Sequence, residues 1–144
     1  MKRVIFFLGI FLGFFMFLSA QEHSVLSEGE WYKVSTNQDG IYRLTYSDFQ
    51  TLGINVSNLQ NSSIRLYGNG GGMVPRLNSD FRHLDLIENA IKVYDSNNNG
   101  IFENGDYILF YGMSPNVWRF NETAHLFEYD IHLFSDQVNY FLAI

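Results

Sequence analysis

The chain has 144 residues, a formal net charge of −6, no cysteine, and an aromatic content of 17%. The acidic balance argues against nucleic acid and anionic membranes as partners and suits cations or basic partners. Without cysteine there is no disulfide, thiolate metal site or cysteine nucleophile.

The first twenty residues read as an export signal. Lys2 and Arg3 form a positive start, Val4 to Phe17 is apolar apart from two glycines, and Leu18-Ser19-Ala20 offers a small residue for cleavage before Gln21. A single-pass anchor is the competing reading, since the run approaches spanning length. The absence of a nearby cysteine excludes a lipid-anchored form. Setting residues 1–20 aside leaves 124 residues, enough for one domain, with seven basic against fifteen acidic side chains. Membrane association, on this reading, comes through partners rather than a retained helix.

Trp31 to Ser35 and Ile41 to Thr45 are strand-like, and the Asp39-Gly40 pair between them signals a hairpin turn. Tyr32 and Val34 share one face, as do Tyr42 and Leu44. Tyr46 to Gly53 predicts one helical turn, capped by Ser47 and stopped by Gly53, with Phe49 and Leu52 inward. Residues 55–63 read as a polar loop. Ile64 to Tyr67 is a short half-buried strand, ended by the glycine run 68–72. That run lacks the Lys-Ser/Thr of a phosphate loop, and its third dinucleotide-type glycine is replaced by Met73, so it reads as a backbone bend. From Arg76 to Asn89 the sequence is irregular, with one turn around Asp85 to Glu88.

Ala90 to Gly112 is the most informative stretch. Ile91 and Val93 point inward. Tyr107 to Tyr111 is apolar on both faces and predicts a central strand. Between them lies DSNNNGIFENGD, with oxygen-bearing side chains at positions 1, 3 and 5, a glycine at 6 and a carboxylate at 12. Asp95, Asn97, Asn99, the Ile101 carbonyl and Asp106 match the order in which one loop wraps a calcium ion, with Glu103 adding a direct or water-bridged oxygen. Neutral Asn at positions 3 and 5 and the short Asp at 12 lower the expected affinity. Strand-like flanks make it a calcium hairpin rather than an EF-hand. The alternative is an Asn/Gly-rich turn that needs no ion.

Farther on, Phe127 to Phe134 alternates, with Phe127, Tyr129, Ile131 and Leu133 on one face and Glu128, Asp130 and His132 on the other. Solvent exposure explains the polar face more simply than a metal or acid–base cluster. His125 and His132, seven apart, face opposite ways on one straight strand. Three glycosylation sequons begin at Asn55, Asn61 and Asn121. Asn139 to Ile144 is a last strand in which the chain stops, as if cut off. Short strands between turn signals predict a mainly β, sandwich-like module with one or two helical turns.

Four runs carry a family resemblance: SVLSEGEWYKVSTNQDGIYRLTYSDFQTLGI, IRLYGNGGGMVP, LIENAIKVYDSNNNGIFENGDYILFYG and SDQVNYFLAI. Together they resemble the N-terminal region of the PorU-like sortases, the gingipain-like cysteine endopeptidases of the type IX secretion system of Bacteroidetes. The resemblance implies a β-rich N-terminal domain spanning residues 21–144, at the outer membrane or cell surface. It implies partners in the family's own downstream peptidase domain and in other secretion components. The full-length form removes C-terminal secretion signals from cargo and attaches the cargo to the cell surface. Its catalytic Cys and His have no counterpart here, so no catalytic residue is carried over, and this chain alone is expected to be inactive. The alternative from another class is a free-standing exported β-domain that binds a partner or glycan at the cell surface.

Overall fold

The computed structural model describes residues 23–144; the export signal expected over 1–20 lies outside the described residues. The elements run β1 (Trp31–Thr36), β2 (Gly40–Thr45), α1 (Tyr46–Thr51), β3 (Arg65–Tyr67), β4 (Glu88–Asn89), β5 (Ile91–Tyr94), β6 (Tyr107–Gly112), β7 (Val117–Asn121), β8 (Leu126–Asp130) and β9 (Val138–Ala143), with two short 3-10 turns. No helix among the described residues is long and apolar enough to cross a membrane.

Two antiparallel sheets face each other. One has the order β1-β9-β3-β4, the other β2-β6-β5, and β7–β8 forms a separate two-stranded hairpin. The inner face of the first carries Leu66, Val138, Tyr140 and Leu142, all buried; the second contributes Ile108 and Phe110. Register places Tyr32 opposite Leu142 and Val34 opposite Tyr140 in one sheet, and Tyr42 opposite Phe110 and Leu44 opposite Ile108 in the other. The layers meet where the Phe110 and Tyr140 rings contact edge to face, with centroids 5.5 Å apart. The mainly β, sandwich-like architecture agrees with the alternation in the sequence.

The expected β1–β2 hairpin is not formed. β1 pairs with β9 and β2 with β6, so the chain turns a corner from one sheet to the other. A two-residue hairpin turn needs glycine at positive φ, whereas Gly40 is absent from the positive-φ glycines and is simply the first residue of β2. The corner is fastened elsewhere. Thr36 donates its hydroxyl to the Met113 carbonyl at 2.8 Å, and Asp39 accepts the Ser114 N–H at 2.9 Å.

Helix α1 is capped by Thr45 rather than Ser47. The Thr45 hydroxyl accepts the Asp48 N–H, and the Asp48 carboxylate accepts the Thr45 N–H, a reciprocal capping box. Gly53, at φ 84°, ends it, and Phe49 is fully buried. β6 is central in its sheet, but only one face is buried: Ile108 and Phe110 point in, while Tyr111 is exposed. The strand expected over 127–134 stops at Asp130. There Asn116 Oδ1 takes the His132 N–H, and His132 Nδ1 takes the N–H groups of Phe134 and Ser135, which turns the chain.

Because Leu142 is fully buried on the strand between β1 and β3, Leu142→Ala should destabilise the domain by about 2–5 kcal/mol. Urea unfolding followed by tryptophan fluorescence measures it.

Candidate functional site

The loop from Asp95 to Asp106 joins β5 to β6, and its polar residues fold onto its own backbone. Asp95 Oδ1 accepts the N–H groups of Asn97 and Asn99, both at 3.3 Å, while Oδ2 accepts from Gly100 N and Asn61 Nδ2, both at 2.8 Å. Asn97 Oδ1 accepts the Asn99 N–H at 3.2 Å, and Asn99 Oδ1 accepts the Ile101 N–H at 2.8 Å. These are successive Asx turns, in which a side-chain oxygen mimics a backbone carbonyl two residues on. Asn98 and Gly100 take up the bend at φ 57° and 81°. Glu103 accepts from the side-chain amides of Asn97 and Asn99.

Asp106 closes the loop from inside. It is 2% exposed, and its two oxygens accept the Ser96 N–H at 2.8 Å and the Glu103 N–H at 2.9 Å. Burial pushes its pKa up, but those backbone N–H groups, together with the Ser96 side chain, outweigh burial and hold the carboxyl below its ordinary value near 3.8.

The structure therefore brings Asp95, Asn97, Asn99, Ile101 and Asp106 into one loop, with the side-chain oxygens of the two Asp and two Asn residues already on N–H donors. Among the described residues no group of three or more His, Cys, Asp or Glu side chains gathers as a metal-holding cluster. One further atom belongs to the site. Asn61, in the segment read as a plain polar loop, donates to Asp95, and its Oδ1 is buried without a hydrogen-bond partner. The two segments also exchange backbone bonds, Asn61 N–H to the Gly100 carbonyl at 2.9 Å and Phe102 N–H to the Leu59 carbonyl at 2.7 Å. Phe102, fully buried, packs its ring tilted against Phe49 with centroids 4.5 Å apart and roots the loop in the core. Phe102 was not singled out from the sequence, though an aromatic residue beside Ile101 in a polar loop is the signal that could have marked it. Asn61 carries no local signal.

The other sequence candidates are dispersed. In the glycine run, a Cβ on Gly71 would collide with the Ser114 carbonyl, and one on Gly68 would lie 2.7 Å from the Tyr140 ring. These glycines serve close backbone packing, as a bend requires. Glu128 accepts from Asn121, Asp130 pairs with Arg119 at 2.7 Å, and His132 Nδ1 caps a turn, so the three do not converge. His125 sits at φ 52° in the β7–β8 turn.

An aspartate whose folded pKa lies below the unfolded value contributes stability that is present above the unfolded value and lost as pH falls through the folded one. Asp106→Asn should therefore cost about 2 kcal/mol at pH 7, with the gap to the unaltered chain closing below pH 3.8. Denaturant melts at pH 7 and pH 3 check both the size and the sign.

No protein-family model matches this chain, and no curated protein does. Among solved structures it resembles dimeric latent PorU from Porphyromonas gingivalis, with a TM-score of 0.57 and 24% sequence identity. The match covers 83% of this chain and 10% of that one, so the chain spans about a tenth of the PorU structure. At this identity the likeness establishes a shared fold with one part of PorU.

Proposed function

We propose that this chain is the non-catalytic N-terminal β-domain of a type IX secretion sortase. The observation that carries the reading is the fold match to one part of PorU. The motifs around YGNGGG and NGDYILFYG support it, as does a sequence with no cysteine to act as nucleophile. On this reading the domain is exported, sits in the periplasm or at the outer surface, and positions a gingipain-like peptidase encoded in the same frame. Cargo cleavage and attachment belong to that peptidase and not to these residues. The test is a sequencing read past the codon for Ile144 in the native gene. A gingipain-like Cys/His peptidase in frame is the expected result. A stop codon there would instead favour a free-standing exported binding domain.

On the same reading the 95–106 loop takes a calcium ion as a structural pin for the β5–β6 turn. The order of oxygen-bearing residues supports it, and so does the orphaned Asn61 Oδ1 beside Asp95. Calorimetric titration should show weak calcium binding that Asp95→Ala abolishes, with a calcium-dependent rise in melting temperature in the unaltered chain only. Neither heat nor a shift in melting temperature would discard the ion and leave the hydrogen-bonded turn.

A further inference from the structure

The β7–β8 hairpin is amphipathic, and it meets its own domain at the Val117 end. Pairing of Trp118 with Tyr129 and Phe120 with Phe127 puts four aromatic rings on one face. Val117, Arg119, Glu128 and Asp130 lie on the other, because strand side chains alternate. Only the start of that second face meets the body, where a Cβ on Gly72 would come within 3.3 Å of Val117 Cγ2 and 3.4 Å of Arg119 Nη2, while Arg119 and Glu128 stay exposed. The rings point away and are open to solvent, Trp118 at 67%, Phe120 at 51%, Phe127 at 66% and Tyr129 at 48%. Four such rings leave on the order of 500 Å² of contiguous aromatic surface uncovered, the scale at which an apolar patch signals an interaction site. A lone two-stranded hairpin is also marginal in water.

The geometry narrows what covers it. The ring planes are inclined by 45° in the Trp118–Tyr129 pair and 58° in the Phe120–Phe127 pair, so they make clefts for side chains rather than a flat platform for a sugar. A partner docking from solution needs about 800 Å² per side for a stable complex. This face falls short of that. A neighbour on the same polypeptide needs less, since tethering supplies an effective concentration near the millimolar range. The segment is acidic: between Asn116 and Asp136 its one Arg or Lys, Arg119, is paired with Asp130, and Glu122, Glu128 and Asp136 add further negative charge.

We propose that the Trp118/Phe120/Phe127/Tyr129 face is the docking surface for a neighbouring domain of the same polypeptide, one presenting an apolar patch rimmed by Lys or Arg. This rests on the reading of the chain as one domain of a larger sortase. Hydrogen exchange read by mass spectrometry, on this chain and on the full product of the native gene, tests it. Amides of 117–130 should exchange roughly tenfold more slowly in the full product. Phe127→Ser should remove that protection while leaving the melting temperature of this chain unchanged. Equal exchange in both proteins would overturn the docking surface and leave the sortase reading intact. A frame that ends at Ile144 would overturn both. Protection that grows with the concentration of this chain alone would assign the face to a second copy and overturn the tethered occupant.

Discussion

The corner between β1 and β2 is the constraint on which the rest of the sandwich depends. Six strand residues in one sheet are followed, after three intervening residues, by six in the other. The two strands cannot pair, and the sheets are forced face to face. The corner holds because the segment just after β6 comes to meet it. The Met113 carbonyl takes the Thr36 hydroxyl, the Met113 N–H goes to the Tyr140 hydroxyl at 3.0 Å, and the Ser114 N–H goes to Asp39. Buried donors and acceptors that would otherwise cost free energy are satisfied across three elements. Burial also pushes the Tyr140 phenol up, more than its bond from Met113 pulls it down, so that hydroxyl stays protonated through the neutral range. Gly112 is part of the same arrangement: a Cβ there would lie 2.6 Å from Thr36 Cγ2 and from the Tyr42 ring.

At the opposite end of β6 a second brace does related work. The Asp95–Asp106 loop is polar in sequence, yet it is tied to the 59–61 segment by backbone bonds and to the core by Phe102. Its carboxylates replace missing backbone partners: Asp95 gathers N–H groups across six residues, and Asp106 joins the two stems from a buried position. Such a network fixes the angle at which β5 and β6 leave the turn, with or without an ion. Calcium, where bound, would add to a geometry the peptide already favours.

Local chemistry explains what could be read from the sequence. Inward Ile64 and Leu66, the glycine stop at Gly53 and the central place of β6 follow from alternation and from positive φ, which neighbouring residues determine. The Asp95–Asp106 loop was visible for the same reason, because Asx and glycine chemistry is local. Sheet membership was not. β1 pairs with β9 across more than a hundred residues, with Ser35 and Asn139 joined at 2.8 Å, and nothing near Asp39-Gly40 distinguishes a corner from a hairpin. Asn61 escaped for a similar reason, its partner Asp95 being 34 residues away. In β8 the two faces were assigned correctly, but alternation cannot say which face the domain covers. Here the body meets only the Val117 end of the polar face, and the aromatic face stands open.

The molecule is mechanically divided into two parts. The two sheets share one buried cluster running from Phe49 and Ile54 through Ile108 and Phe110 to Leu142, and should open only with global unfolding. The β7–β8 hairpin contributes no residue to that cluster. It is held by its own ladder, by Asn116 to His132 and by the contact over Gly72. Its opening free energy must therefore lie well below that of the body. A segment of that kind gains order from whatever covers its exposed face. The sandwich thus carries an element less firmly held than itself, with its aromatic face open to solvent.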